Sequence, residues 1–158
     1  MYYDKYPSPL GTLWLFGDEK GLARLFIGEE YAGPGEPAAP EQFAPVRRWL
    51  DAYFAGEPIP VDFPLALTGT EFQKLIWKLL LEVPFGQTRT YGELAREAAR
   101  HMGRETMSAQ AVGGAVGRNP VWIIVPCHRI IGAGGSLTGY AGGIDKKHWL
   151  LDHEGWRK

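Results

Sequence analysis

Cysteine is nearly absent from this chain of 158 residues, and the single one, Cys127, cannot form an internal disulfide. The chain therefore fits a reducing compartment, and we expect a cytoplasmic protein with no secretory signal. Long apolar runs are also absent. The run from Val121 to Val125 has five residues, whereas a membrane helix needs about 20, so we expect no membrane partner. The four histidines lack ligand spacings such as HExxH, so we expect no metal.

Charge is unevenly distributed along a chain of globular composition, with 45% hydrophobic and 22% charged residues. Residues 1–67 contain five Lys/Arg and ten Asp/Glu, whereas residues 68–158 contain twelve Lys/Arg and eight Asp/Glu. A basic second half fits a polyanionic partner, and it equally fits a chance imbalance of surface charge. The change follows a proline-rich stretch, 56–64, so we predict two domains, 1–67 and 68–158.

The first domain is predicted to be small and of mixed α/β structure. Two apolar runs, Leu13 to Phe16 and Leu22 to Ile27, flank a Gly/Asp turn and predict a hairpin. Residues 28–45 are rich in Gly, Pro, Ala and Glu and predict a loop. Apolar residues at helical spacing then predict a helix over Val46 to Phe54.

The second domain is predicted to be mainly helical. Two capping boxes, Thr70 to Gln73 and Thr90 to Glu93, each mark a helix start. A short helix begins at Ser108 and is stopped by Asn119-Pro120, which suggests a helix-turn-helix. We expect Trp122 to Val125 to be a buried strand or extended run. A last helix is expected over Ile144 to Glu154, closed by a glycine.

The helix predicted over residues 108–118 is almost without bulky side chains. Its three glycines each cost about 1 kcal/mol relative to alanine. Small residues permit close packing between helices. They also permit close approach to DNA, whose minor groove is only about 6 Å wide. The pattern by itself is compatible with both.

The cysteine lies in the segment Pro126-Cys127-His128-Arg129, at the end of an apolar run. A lone cysteine is most often a small buried hydrophobe. Neighbouring cationic groups, however, can lower a thiol pKa and so raise the fraction of reactive thiolate. A loop with six glycines follows over residues 132–143 and provides a flexible wall suited to admitting a ligand.

Residues 126–129 are similar to the active-site signature of the O6-alkylguanine-DNA alkyltransferases, and the resemblance extends from about Thr70 to Gly155. The shared frame consists of Ala111-Val112-Gly113-Gly114-Ala115, Asn119-Pro120, Gly139-Tyr140-Ala141-Gly142-Gly143, Trp149-Leu150-Leu151 and His153-Glu154-Gly155. The resemblance implies an α+β fold. A small ribonuclease-H-like α/β domain would precede a helical, winged-helix-like domain that binds DNA and carries out the chemistry.

The resemblance also implies DNA repair by direct reversal. Such a protein flips an alkylated base out of the duplex and transfers the alkyl group from O6 of guanine, or from O4-alkylthymine, to its own cysteine. It acts once, without a cofactor. The implied partner is double-stranded DNA containing O6-alkylguanine, bound by a monomer.

The catalytic roles carried over by the resemblance fall to six residues. Cys127 would be the acceptor, His128 would activate it through a water, and Glu154 would orient His128. Asn119 would hold the short helix and the active-site loop in register. Tyr140 and Lys147 would stabilise the leaving guanine as charge develops on it.

Further residues are expected to contact DNA or the flipped base. Tyr91 would press on the phosphate beside the flipped nucleotide. The residues predicted to contact DNA or the base are Tyr91, Ala109, Gln110, Ala111, Gly113, Arg118, Arg129, Ile130 and Ala141.

The chain departs from the family pattern at two places on the expected DNA side. Gln110 stands where many members have an arginine that fills the gap left by the flipped base, and the turn over residues 102–107 is longer than in the most compact members. Two rival functions are a lesion-binding protein without transfer and a thiol hydrolase. Cys127 argues against the first. Adjacent residues such as Cys127 and His128 rarely form a dyad, which argues against the second.

Overall fold

The computed structural model describes residues 1–28, 35–38 and 41–156, and the chain divides into two compact units. One unit comprises Met1–Thr68 with Pro120–Trp122, and the other comprises Gly69–Asn119 with Ile123–Lys158. No feature of the sequence predicts that Pro120–Trp122, from the second half of the chain, join the first unit.

The first unit is built on a four-stranded sheet. Its strands are β1 (Tyr2–Ser8), β2 (Gly11–Asp18), β3 (Gly21–Ile27) and β4 (Glu36–Pro37), in the order β3-β2-β1-β4. The first three pair antiparallel, and β4 runs parallel to β1. Because β2 is central and buried on both faces, its apolar run is continuous rather than alternating. The predicted hairpin is confirmed, whereas β1 has too few apolar residues to be predicted.

Helix α1 (Ala44–Phe54) packs its apolar stripe inward, as its spacing predicts. The buried residues are Val46, Trp49, Leu50 and Tyr53. The Tyr6 hydroxyl on β1 donates a hydrogen bond to Asp51 on this helix at 2.5 Å. Part of the predicted loop before α1, residues 29–34 and 39–40, lies outside the described residues.

Within the described residues, the second unit contains four α-helices: α2 (Glu71–Leu81), α3 (Tyr91–His101), α4 (Ala109–Gly117) and α5 (Ile144–His153). A short strand before α3, β5 (Arg89–Thr90), pairs parallel with β6 (Ile130–Ile131). Both predicted capping boxes are present, and the Trp77 indole on α2 donates to the Ala115 carbonyl on α4 at 2.9 Å. The predicted α+β class is confirmed. None of the helices in the described ranges is both long and apolar enough to cross a membrane.

The expectation of a strand or extended run over Trp122 to Val125 is wrong. The segment is a series of turns, and Ile123 has a φ of 72°. A β-branched residue in this region is uncommon and costs on the order of 1–3 kcal/mol. The reversal has a structural reason, because the Asn119 side chain bonds the Val125 carbonyl at 2.7 Å. An extended chain of six residues would separate the two by roughly 20 Å.

Candidate active site

Cys127 lies in a tight double turn that its neighbours determine. Pro126 has φ −83° and ψ 66°, close to an inverse γ-turn, and the Cys127 amide donates to the Val125 carbonyl at 2.8 Å. A single 3₁₀ turn, Cys127–Arg129, follows and leads into β6. Proline suits the first turn because its ring fixes φ near this value. These two turns hold the backbone at Cys127, a residue that is only 6% exposed.

Asn119, just beyond α4, ties this turn to the helix. Its buried side chain donates from Nδ2 to the Val125 carbonyl at 2.7 Å, and it also hydrogen-bonds the Cys127 thiol. The amide thus connects the end of α4 with the residue before the turn and with the sulfur itself. This contact fits the positioning role that the resemblance implies for Asn119.

His128 is fully buried and pairs with Glu154, the residue at the end of α5. Its Nε2 lies 2.6 Å from a Glu154 carboxylate oxygen. Burial raises the pKa of Glu154, but the hydrogen bonds from His128 and Arg129 and the charge of Arg129 outweigh this effect and lower the pKa to about 2. An ionised carboxylate can only accept, so Nε2 must carry the proton and Nδ1 must present its lone pair.

His128 is neutral in this arrangement, because burial lowers its pKa despite the opposing effect of Glu154. Its Nδ1 is buried and has no hydrogen-bond partner among the residues that the structure describes. The imidazole therefore carries an unused acceptor within the turn that holds the cysteine. A neutral ring with a fixed tautomer can act as a base.

The structure places Arg129 differently from the sequence prediction. Its guanidinium is buried and donates from Nε and Nη2 to the two Glu154 oxygens, at 2.8 and 3.1 Å, and from Nη1 to the Val83 carbonyl at 2.7 Å. All three contacts lie inside the second unit. This placement favours a structural role, holding Glu154 ionised and fixed, over the contact with DNA expected from the motif.

Cys127 itself is held as a neutral thiol. Burial raises its pKa to about 11, while the hydrogen bond from Asn119 and the positive charge of Lys147 act in the opposite direction. A thiol in this state is a poor nucleophile. Reaction therefore requires that a base remove its proton, and His128 Nδ1 is the unused base in this turn.

Lys147 on α5 is fully buried, and its ammonium faces backbone carbonyls. Its Nζ donates to the carbonyls of Ile130, Thr138 and Gly139 at 2.6, 2.9 and 3.3 Å. Burial lowers its pKa to about 8, whereas a thiolate at Cys127 would raise it. Three carbonyls occupy the three ammonium protons, an arrangement that the resemblance does not anticipate.

Two tyrosines adjoin the cysteine. Burial raises the pKa of Tyr140 well above its usual range, and the charges of Cys127 and Glu154 act in the same direction. Burial also raises the pKa of Tyr91, whereas a hydrogen bond with Thr138 lowers it. Both hydroxyls therefore stay protonated at neutral pH. Each can donate to a group that gains negative charge.

The predicted DNA-contacting residues on α4 are mostly at the surface. Ala109, Gln110, Ala111 and Arg118 are exposed, and a Cβ placed on Gly114 or Gly117 would meet nothing within 4 Å. Gly113 is half-buried, and a Cβ there would lie 3.9 Å from the Tyr91 ring. The helix thus presents an open face of backbone and methyl groups.

Ile130 and Ala141, both among the residues predicted to contact DNA or the base, differ in exposure. Ile130 is fully buried in β6, and its carbonyl accepts from Lys147. Ala141 is exposed in the glycine-rich loop, where the Gly143 amide bonds the Tyr140 carbonyl at 2.9 Å. Among the described residues, no three His, Cys, Asp or Glu side chains are grouped to hold a metal ion.

Sequence reasoning missed the backbone partners of the charged groups. The Val83 carbonyl and the Gly86 amide, which lies 3.5 Å from a Glu154 oxygen, fix the Arg129–Glu154 pair from the end of α2. Every residue has such groups, so no side-chain pattern marks them. The one sequence feature that pointed to these contacts was Arg129 itself, next to His128 in the motif.

The chain is similar over nearly its whole length to proteins of known kind. Residues 71–156 match the family model described as 6-O-methylguanine DNA methyltransferase, DNA binding domain, and residues 1–67 match the ribonuclease-like domain of the same proteins. The methylated-DNA–protein-cysteine methyltransferase of Methanosarcina acetivorans is 46% identical, covering 98% of this chain and 99% of that protein.

Solved structures show the same likeness. Mycobacterium tuberculosis OGT in complex with DNA has a TM-score of 0.85 at 44% identity, covering 98% of this chain and 92% of that one. The O6-methylguanine methyltransferase of the same organism has a TM-score of 0.82 at 45% identity, covering 97% and 92%. The expected architecture, a ribonuclease-like domain followed by a helical DNA-binding domain, is confirmed.

Proposed function

Because the chain belongs to the 6-O-methylguanine DNA methyltransferase family, we propose that it repairs alkylated DNA by direct reversal, with Cys127 as the acceptor. The substrate is O6-alkylguanine in double-stranded DNA, together with O4-alkylthymine. The solved structure of a relative with DNA supports the same partner. An acceptor thiol must stay reduced, so the protein acts in a reducing, intracellular compartment.

The observation that carries this proposal is the state of His128. Glu154 is ionised and accepts a hydrogen bond from Nε2–H, so Nδ1 is left as a base in the turn that holds the only cysteine. A cysteine that served only as a buried hydrophobe would need no such neighbour. The free-energy cost of burying His128, Arg129 and Glu154 together also favours a chemical role.

The transfer follows from these groups. His128 Nδ1 takes the thiol proton through a water. The Cys127 sulfur then attacks the alkyl carbon on O6, forming a sulfur–carbon bond as the carbon–oxygen bond breaks. The electron pair passes to the guanine ring, which takes a proton and becomes guanine. Cys127 ends as an uncharged thioether, so each molecule acts once.

The guanine anion is a poor leaving group, so the site needs a hydrogen-bond donor close to it. Tyr140 fits this role because its hydroxyl is buried and its raised pKa keeps the proton in place. A neutral donor in a water-poor site stabilises developing charge without reorganising. We propose Tyr140 as this donor.

We propose the exposed face of α4 as the DNA-contacting surface, bound by one copy of the chain. Its open glycines and alanines allow the helix backbone to approach the floor of a narrow groove. Gln110 lies at the first turn of α4 and is exposed, which suits insertion into the base stack. Arg118 at the other end adds a cation for a phosphate.

Intact mass spectrometry tests the proposed function most directly. After mixing with a duplex containing O6-methylguanine, the protein is expected to gain the mass of one methylene group, located on Cys127 by peptide mapping. A matched duplex with unmodified guanine serves as the control. Lesion-specific binding with no change in mass would instead identify a lesion-binding protein without transfer.

Gln110→Ala is expected to slow repair in duplex DNA by about tenfold, because extruding a base costs a few kcal/mol and the vacated stack must be filled. Transfer from free O6-methylguanine base involves no stack and should change little. Single-turnover rates on the two substrates provide the comparison. Equal losses on both would assign Gln110 a structural role only.

A further inference from the structure

The glycine-rich loop after β6 covers residues 132–143 and contains six glycines. Four of them, Gly134, Gly135, Gly139 and Gly143, have φ between 48° and 105°. A chain of this composition has many accessible conformations, so ordering it is entropically expensive. Tyr140, the proposed donor to the leaving guanine, and Ala141, which the resemblance predicts to contact DNA or the base, lie in this loop, so their positions depend on the contacts that order it.

Lys147 connects this loop to the strand beside it. Its carbonyl partner in β6 is Ile130, and its two partners in the loop are Thr138 and Gly139. The loop partners come immediately before Tyr140 in the chain. The Lys147 side chain is fully buried, with a relative exposure of 0%. These three hydrogen bonds therefore connect the loop to β6.

We propose that Lys147 is a positioning residue that fixes the segment from Thr138 to Ala141 against β6 and so builds one wall of the base pocket. This inference rests on the proposed function and assigns the loop clamp to a residue that the resemblance placed at the leaving group. An ammonium has three N–H donors, and each of them donates to one of the three carbonyls. The clamp therefore leaves no donor for the substrate.

The groups around Lys147 fit this role. Its Nζ lies 5.9 Å from the centre of the Tyr91 ring, and the Tyr91 hydroxyl bonds Thr138 in the same loop. Lys147 also interacts electrostatically with Cys127 and His128. A compact, tetrahedral ammonium suits three converging carbonyls better than a planar guanidinium does. Deprotonation, with a pKa of about 8, would remove one of the three donors.

Lys147→Met nearly keeps the length of the side chain but removes every donor, and Lys146→Met, at the half-buried neighbouring lysine, is the matched control. Hydrogen exchange of the loop amides over residues 138–143 is expected to accelerate about tenfold or more in Lys147→Met, with α2 unchanged. The concentration of free O6-methylguanine that gives half-maximal transfer is expected to rise about tenfold, more than the maximal rate falls. Lys146→Met should match the wild type in both measurements.

Unchanged loop exchange together with a fall in the maximal rate alone would overturn the proposal and favour a role at the leaving group. If Lys147→Met does not fold, the wild type decides, because its loop protection factors should fall between pH 7 and pH 9.5 as Lys147 loses a proton. Constant protection across that interval would overturn the clamp. Absence of any transfer by the wild type would refute the proposed function, but the exchange data would still test the clamp.

Discussion

Replacement of Cys127 by serine is expected to abolish alkyl transfer while leaving DNA affinity nearly unchanged. A hydroxyl holds its proton far more tightly than a thiol, and His128 cannot generate an alkoxide in the resting site. Serine is close in size to cysteine and can keep the hydrogen bond with Asn119. Because Cys127 is only 6% exposed, it contributes little to the surface that meets DNA.

Two measurements on the same preparation check this expectation. Transfer is followed by intact mass after a long incubation with duplex O6-methylguanine, and affinity is followed by fluorescence anisotropy with the same duplex. Cys127→Ala serves as a second inactive variant without any polar group at this position. Methylation of Cys127→Ser at a different residue would show that another group is the acceptor and would remove the basis of the proposed chemistry.

His128 and Glu154 are expected to act as one unit. His128→Ala should slow transfer about 10²- to 10⁴-fold, the usual contribution of a general base. Glu154 acts only by fixing the tautomer and orientation of His128. The double variant His128→Ala with Glu154→Gln should therefore be little slower than His128→Ala alone.

Alkaline pH is expected to rescue His128→Ala in part. The pKa of the Cys127 thiol is raised to about 11, so below that pH its thiolate fraction grows about tenfold per pH unit. The wild type gains less, because its neutral His128 already removes the proton near pH 7. The ratio of the His128→Ala rate to the wild-type rate should thus rise from pH 7 to pH 10. Taking this ratio cancels the titration of Lys147, which both proteins share.

Single-turnover rates of the wild type, the two single variants and the double variant give both answers. Glu154→Gln removes the counter-charge of buried Arg129, so thermal melts must first show that each protein is folded at the assay temperature. Asp152→Asn, an exposed carboxylate on the same helix, controls for general loss of charge. Additive losses without alkaline rescue would mean that the two residues are independent structural groups.

The sequence predicted those parts of the molecule that local chemistry determines. Both capping boxes lie where Thr70 and Thr90 predict them, because a hydroxyl and a carboxamide or carboxylate three residues later satisfy amides within one turn. The α2, α3 and α4 starts follow from such contacts. The motif at Cys127 was likewise readable, since its residues are contiguous.

Other features depend on contacts between distant segments, and no local pattern announces them. Ile123 adopts a left-handed conformation although its side chain disfavours it, because the turn must bring the Val125 carbonyl to Asn119. Lys147 was assigned by resemblance to the leaving group, yet its observed partners are backbone carbonyls. Backbone acceptors are alike in every residue, so only the folded chain reveals which of them a buried cation selects.

The Arg129–Glu154 pair also has a consequence for the order in which the protein becomes reactive during synthesis. Cys127 leaves the ribosome before Glu154, which follows it by 27 residues. At ordinary rates of translation this delay is roughly one to five seconds. During that interval the thiol exists without the carboxylate that fixes His128. Activation of the thiol by His128 therefore begins only when α5 has docked and completed the second unit.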